Sequence, residues 1–398
     1  MTPRILIVGS GFAGVTAAMR LAKNAEVTLL TDKPWLEYYG VLYRILAGKS
    51  PAEACIPLAM MLPKSVRVVT DWAMAIDPQK KTVKGKTGNY AYDILLLAPG
   101  SEPAYFGIPG MQEHSVGMKS IADALALRRL VEHRILSIKS ANDDRQKKIL
   151  GRFSVIGGGP SGTEVATEIL PYAKSLAKRS GVDPSLISVD LIEALDRVLP
   201  ITEPKASVKV LRHLQALGVN VLLKQAVASI DAQAIHLKDG QTLRTATIIW
   251  TAGVKASSLI ATIPGVELDK RGRAVVDEQL RAKGQNDIFV MGDAASTQFA
   301  GLAQTAVEDA AFVSRVLQAE WSGKTPPVYR PTPPAYAIPV GSNWAAVKYH
   351  FIRAYGLPGY ALRRAADVHV YMMLVSWHRV PALYCGKISL EKYGIKFE

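Results

Sequence analysis

The chain has 398 residues, 49% of them hydrophobic and 21% charged, a globular composition with enough length for two or three domains. Lysine and arginine outnumber the acids 48 to 34, and the formal net charge of +14 favours anionic partners: cofactors, an acidic membrane surface or nucleic acid. The two cysteines, Cys55 and Cys385, form no CxxC or CxxxxC pattern, which excludes a legible redox disulfide pair or cysteine zinc site and suits a reducing compartment.

Residues 5–8 are an apolar run that enters Gly9-Ser10-Gly11-Phe12-Ala13-Gly14 at once, so the run reads as a buried strand rather than a signal peptide. In this G-x-G-x-x-G the first glycine makes the tight turn and the second lets a pyrophosphate approach the backbone. The third lets helix and strand pack closely, with the helix N-terminus facing the phosphates. Residues 27–30 form a second strand ending at Thr31-Asp32, where Asp32 is either a ribose ligand or a turn residue. Residues 93–97 form another buried strand, running into Ala98-Pro99-Gly100. Helical stretches follow over 121–150, interrupted by a polar, charged linker at 140–148.

The plan then repeats. Residues 153–156 lead into Gly157-Gly158-Gly159-Pro160-Ser161-Gly162, a long helical pattern follows, and a strand at 188–192 ends at Glu193. An acid there accepts ribose hydroxyls and repels a 2′-phosphate, which favours NADH over NADPH; Arg197 pulls the other way. A strand at 246–250 ends in Thr251-Ala252-Gly253-Val254. Residues 287–291 return to the first unit as a strand closed by Gly292-Asp293. A helix over 302–320 opens with Ala303-Gln304-Thr305-Ala306-Val307-Glu308, and a proline-rich linker covers 326–334. Asp293 reads as a ligand of the cofactor ribityl chain, as an N-cap for the following helix, or both. Two such loops in one chain imply two dinucleotides side by side. The fold class is α/β, with two Rossmann-like dinucleotide-binding domains and a C-terminal helical extension. The boundaries are 1–112 with 282–335, 113–281, and 336–398.

The last 63 residues hold 11 of the 29 aromatics and eight Lys/Arg against three acids. Their most apolar stretch, 368–377, is shorter than the about 20 residues a spanning helix needs. An interfacial helix on an anionic bilayer fits this composition; packing on the body or on a second copy, as a homodimer, is the alternative. His350, His369 and His378 lack metal-ligand spacing and read as interface or core residues, so no metal is expected. The charge is dispersed and carries no nucleic-acid motif.

Taken together these motifs resemble the type II NADH dehydrogenases (NADH:quinone oxidoreductases), a family of two-dinucleotide flavoproteins. The resemblance implies that Gly9, Gly11, Phe12, Ala13, Gly14, Asp32, Ala98, Gly100, Gly292, Asp293, Ala303 and Gln304 hold FAD. It implies that Gly157, Gly159, Pro160, Ser161, Gly162, Glu164, Glu193 and Gly253 hold NADH. Hydride then passes from NADH to flavin N5, and a membrane quinone is reduced by two electrons without proton pumping. Glu164, read as lying in the first turn of its helix, orients the nicotinamide or relays protons, or simply complements the helix dipole. Gln304 bonds the quinone or flavin edge, and Glu308, one turn on, is a second proton donor. The chain departs from the family at Pro99, at Glu308 where a second Gln is usual, and at Ser342 where a basic residue contacts the flavin. The implied location is cytoplasmic, peripheral at the inner face of the cell membrane. Competing readings are a soluble reductase of a small electron-carrier protein and a sulfide:quinone oxidoreductase, the latter needing a cysteine pair at the flavin.

Overall fold

The computed structural model describes residues 2–397. The first part of the chain builds β1 (Arg4–Val8), α1 (Phe12–Leu21), β2 (Glu26–Thr31), α2 (Leu42–Leu46), β3 (Arg67–Thr70) and β4 (Ile94–Leu97). The middle builds β5 (Val116–Gly117), α3 (Ile121–Ser140), β6 (Arg152–Ile156), α4 (Pro160–Arg179), β7 (Ser188–Ile192), α5 (Pro204–Ala216), β8 (Asn220–Leu222) and β9 (Thr247–Trp250). The last part builds β10 (Ile288–Val290), α6 (Ala303–Trp321), β11 (Tyr336–Pro339), β12 (Ala345–Tyr349), β13 (Ile352–Tyr355) and α7 (Gly356–Leu374).

Two parallel five-stranded sheets organise these elements, in the orders β10-β4-β1-β2-β3 and β5-β9-β6-β7-β8. Their central strands are nearly continuous apolar runs because both faces are covered, one by helices and the other by a small antiparallel three-stranded sheet, within residues 73–91 for the first and 227–244 for the second. Ile5, Ile7, Leu29 and Leu96 pack with α1 and α6, while Phe153, Val155 and Val189 pack with α3 and α4. In each sheet the chain leaves the glycine-loop strand for one neighbour and returns on its other side. That reversal opens a crevice at the carboxyl ends of β1 and β6, where open α/β sheets bind ligands.

The charged stretch at 140–148 is not a plain linker. Asp143 accepts from the amides of Arg145 and Gln146, and this cap starts a helix over Asp144–Leu150. The last segment is a three-stranded antiparallel sheet, β11-β12-β13, against which α7 packs. Gly359 permits the close crossing, since a Cβ there would lie 2.3 Å from the Ala345 carbonyl oxygen. His350, His369 and His378 are all exposed, which corrects the expectation of a core role.

Candidate functional site

Both glycine loops show the same division of labour. Gly9 (φ +103°) and Gly157 (φ +112°) need a left-handed backbone. A Cβ on Gly14 would lie 1.8 Å from the Gly9 carbonyl oxygen, and one on Gly162 would lie 1.8 Å from that of Gly157, so both hold helix against strand. Gly11 (φ −71°, ψ −175°) and Gly159 (φ −73°, ψ −174°) have extended backbones open to any residue, and a Cβ on either meets no atom within 4 Å. Neither conformation nor packing within the chain calls for glycine at these two positions. The space they leave belongs to something outside the chain. Each is also an N-cap without a side-chain cap, and neither helix has an acid in its first turn. The amides of Phe12, Ala13 and Gly14, and of Ser161 and Gly162, are therefore available to an anion. Pro160 at the first helical position lacks an amide and starts α4 at no loss. These residues fit dinucleotide pyrophosphates.

Around the first loop, Asp32 is exposed at the end of β2, beside the Thr31 hydroxyl that donates to Ser10 Oγ at 2.7 Å. Ala98 packs its carbonyl against Gly9, with Gly100 two residues on. The Gly292 amide donates to Asp309 Oδ2 at 2.9 Å, and Tyr329 donates to Oδ1 at 2.6 Å. Burial lifts the Asp309 carboxyl to about 6 despite these bonds. Asp293 is not an N-cap: α6 begins at Ala303 with Leu302 before it. Its carboxylate instead accepts from Ser101, and the Lys119 ammonium stands 3.7 Å away. Lys119 also lies over the Tyr39 ring at 4.9 Å. On α6, Ala303, Gln304 and Glu308 share an accessible face, and Gln304 Nε2 donates to Glu308 Oε1 at 2.8 Å.

Around the second loop, both Glu193 oxygens are engaged: Oε2 accepts from the Gly158 amide at 2.6 Å and Oε1 from that of Leu195 at 2.8 Å. Each keeps a further lone pair for a hydroxyl. Arg197 donates to the Pro200 carbonyl at 3.0 Å. Thr251 ties β9 to the loop through the Ile156 carbonyl at 2.8 Å. Gly253 is needed where Phe106 lies, 2.4 Å from where a Cβ would stand, and Phe106 is 68% exposed.

Glu164 is the fifth residue of α4, in its second turn rather than its first, which weakens the dipole reading. It is half-buried among Tyr43 of α2, Glu168 one turn on, and Arg363 and Asp367 of α7. Loss of hydration outweighs Arg363 and raises the Glu164 carboxyl to about 8. The inward stripe of α7 is Gly359, Arg363, Asp367 and Tyr371, whereas Leu357, Leu362, Met372 and Met373 face outward. Arg363 pairs with Asp367 and donates to the Gly40 carbonyl, while Tyr38 donates to Asp367 Oδ1 at 2.7 Å. Tyr38 in turn packs edge-on against Phe12 of the first loop, at 5.9 Å between centroids. The C-terminal helix thus reaches the cofactor crevice through one polar chain. Sequence reasoning missed Ser101, Lys119, Tyr38, Phe106, Glu168, Arg363 and Asp367; they lie in no motif and meet the site only through long-range packing.

Residues 3–310 match the family model described as pyridine nucleotide-disulphide oxidoreductase. Type II NADH:quinone oxidoreductase NdhA of Mycobacterium tuberculosis is 30% identical, over 97% of this chain and 87% of the relative. Type II NADH:quinone oxidoreductase Ndh of the same organism is 33% identical, over 81% and 74%. The solved NDH2 of Plasmodium falciparum in complex with NADH superimposes with TM-score 0.89 over 99% of both chains at 18% identity. The sulfide:quinone oxidoreductase of Aquifex aeolicus gives 0.77 over 98% and 96% at 16% identity. Likeness at these identities is likeness of fold.

Proposed function

The chain belongs to the pyridine nucleotide-disulphide oxidoreductase family, in its type II NADH:quinone oxidoreductase branch, and on that premise we propose how its residues serve the reaction. The chain is an enzyme that uses FAD and NADH and reduces a quinone. The observation that carries the reading is the pair of uncapped helix N-termini at Gly11 and Gly159, each with open space in front of it.

Residues 1–112 with 282–335 form the FAD unit, 113–281 the NADH unit, and 336–398 the attachment segment. FAD, when bound, would supply two-electron redox chemistry between NADH and the quinone. Gly9, Gly11, Phe12, Ala13 and Gly14 hold its pyrophosphate, with Asp32 on the ribose and Ala98, Gly100, Gly292 and Asp293 lining the crevice. Ser101 and Lys119 fix the Asp293 carboxylate, so that group acts as an acceptor. Gly157, Gly159, Ser161 and Gly162 hold the NADH pyrophosphate and Glu193 its ribose, with Pro160 and Gly253 shaping the walls. The guanidinium of Arg197 is turned to the Pro200 carbonyl, which supports NADH over NADPH. Glu164 supplies a proton at the reacting end. Gln304 keeps one free amide N–H for a quinone oxygen after bonding Glu308, and Ala303 borders it.

Among the described residues no helix is long and apolar enough to cross a membrane. The outward face of the C-terminal segment exposes Phe351 (85%), Leu357 (66%) and Trp377 (80%) while its charged stripe turns inward. That inversion supports a face laid on an anionic bilayer, at the inner surface of the cell membrane, where the quinone dissolves. Cys55 and Cys385 are unpaired, which disfavours sulfide chemistry.

Anaerobic rapid mixing tests the enzyme reading. NADH should bleach the flavin band and a soluble quinone should restore it. Bleaching that no quinone reverses would redirect the search to a protein acceptor.

A further inference from the structure

Quinone reduction by NADH follows NADH + H⁺ + Q → NAD⁺ + QH₂, so each turnover draws one proton from solvent. A nicotinamide, a flavin and a quinone would crowd water from the reacting end, and the proton needs a route. This inference rests on the oxidoreductase reading above and concerns how that proton arrives.

A second carboxylate lies on the same face of α4 as Glu164. Glu168 is four residues on, so the two side chains are neighbours one helical turn apart. Both are half-buried. The protein carries 48 lysines and arginines, yet among the described residues neither carboxylate has an ion pair or a side-chain hydrogen bond. Buried acids are ordinarily paired, and the others close by are: Glu53 with Arg44 at 2.7 Å, Asp367 with Arg363, and Glu132 with Arg128 at 3.1 Å and Tyr172 at 2.6 Å.

Glu168 also lines a solvent-connected cavity of about 480 Å³ between α3 and α4, together with Gly48, Glu132, Pro171, Tyr172 and Ser342. Glu164 is absent from that lining and sits deeper, among Tyr43, Arg363 and Asp367. The two carboxylates thus stand in series from open water to the reacting end.

We propose that Glu168 is a proton carrier of this enzyme, taking protons from water in the cavity and handing them to Glu164, which delivers them at the quinone end. Nothing is oxidised or reduced in the relay; each transfer breaks one O–H bond and forms another. The groups facing the pair are Tyr43 and Arg44 of α2, Lys49 beyond it, Arg363 and Asp367 of α7, and, on the cavity wall, Arg128 and Glu132 of α3 with Tyr172 and Arg179 of α4. Burial lifts Glu168 to about 7, moderated by Arg44 and Lys49, against about 8 for Glu164. Both acids therefore keep protons to lend near neutral pH.

The test compares the FAD-loaded wild type with Glu168→Gln and Glu168→Asp. Glu168→Gln should bleach with NADH at the wild-type rate. Its turnover with a soluble quinone should fall about tenfold with KM for NADH unchanged, and its solvent deuterium isotope effect should grow. Glu168→Asp should recover part of the loss, and millimolar acetic acid, small enough for the cavity, should rescue Glu168→Gln. A structural role would move neither the isotope effect nor the rescue. Infrared titration offers a readout without turnover: a carboxyl band with a midpoint near 7 that Glu168→Gln lacks. Equal turnover, pH profile and isotope effect in Glu168→Gln and wild type would overturn the relay and leave the enzyme reading standing. If Glu168→Gln fails to hold FAD, a Glu168→Ala enzyme that holds FAD with wild-type turnover and isotope effect overturns it instead, since it has no carboxyl at that position. A wild type that never turns over quinone removes the enzyme reading itself.

Discussion

Gly159→Ala separates binding from folding in a single methyl group. The residue holds φ −73°, ψ −174°, which alanine adopts freely, and its added Cβ would meet no protein atom within 4 Å. Removing glycine's freedom from the unfolded chain should stabilise the protein by about 0.4–1 kcal/mol. The same methyl stands where a pyrophosphate must come within about 2.9 Å of the helix amides. Overpacking of that kind costs about 1–3 kcal/mol, roughly fivefold to 150-fold in the NADH Kd. The assay is NADH titration of the FAD-loaded protein beside thermal unfolding without NADH. Weaker NADH binding with an unchanged or higher Tm is the expected pair of results. Gly162→Ala is the contrast, because its Cβ would lie 1.8 Å from the Gly157 carbonyl oxygen and 2.7 Å from Thr251 Oγ1, so Tm and binding should both fall. A Gly159→Ala protein with wild-type NADH affinity, or with a Tm several degrees lower, would refute the argument that its space is kept for ligand.

Arg363→Ala should destabilise by about 3–5 kcal/mol, because fully buried Asp367 would lose its main cation, leaving only Arg364 at 3.9 Å; denaturant unfolding reads this, and a loss under about 1 kcal/mol contradicts it. The flavin-free protein should lose stability as pH rises. The unfolded Glu164 ionises near its ordinary 4.5 while the folded one waits until about 8, so stability is full below about 4.5 and declines through that window. The share of the decline from Glu164 is at most about 1.4 kcal/mol per pH unit, Glu168 and Asp309 add to it at the lower end of the window, and Glu164→Gln should make the slope shallower; equal slopes in the two proteins would show that Glu164 is not the buried acid described. Phe351→Asp with Trp377→Asp should release the protein from phosphatidylglycerol vesicles in a flotation assay while turnover with a soluble quinone persists; undiminished flotation would move the membrane contact elsewhere. Cys55→Ser with Cys385→Ser should retain NADH:quinone turnover within about twofold, as the reaction written needs no thiol; loss of turnover with FAD still bound would restore a cysteine mechanism.

The two glycine loops were legible in the chain because a strand, a tight turn and a helix start are local. Gly9 and Gly14, and Gly157 and Gly162, answer to neighbours five residues apart, and spacing alone records that. The apolar runs at β1, β4, β6 and β9 were legible for the same reason: strands covered on both faces are predominantly apolar, with only Ser154 and Thr247 as buried polar positions within the latter two. Composition also marked the last 63 residues as a different surface. It could not reveal that α7 turns Arg363 and Asp367 inward, because a helix with polar and apolar residues on different faces does not say which solvent each face meets. Tertiary contact decided that: the Tyr38 hydroxyl and the Gly40 carbonyl, more than 300 residues away in the chain, accept or supply the hydrogen bonds that make a buried charge tolerable. Likewise Asp293 finds Ser101 and Lys119, and Glu164 and Glu168 are left without an ion-pair partner among the described residues, only when the sheets have folded. Local geometry is written in neighbouring residues. The protonation of a carboxylate depends on the charges and water around it, and the fold sets those.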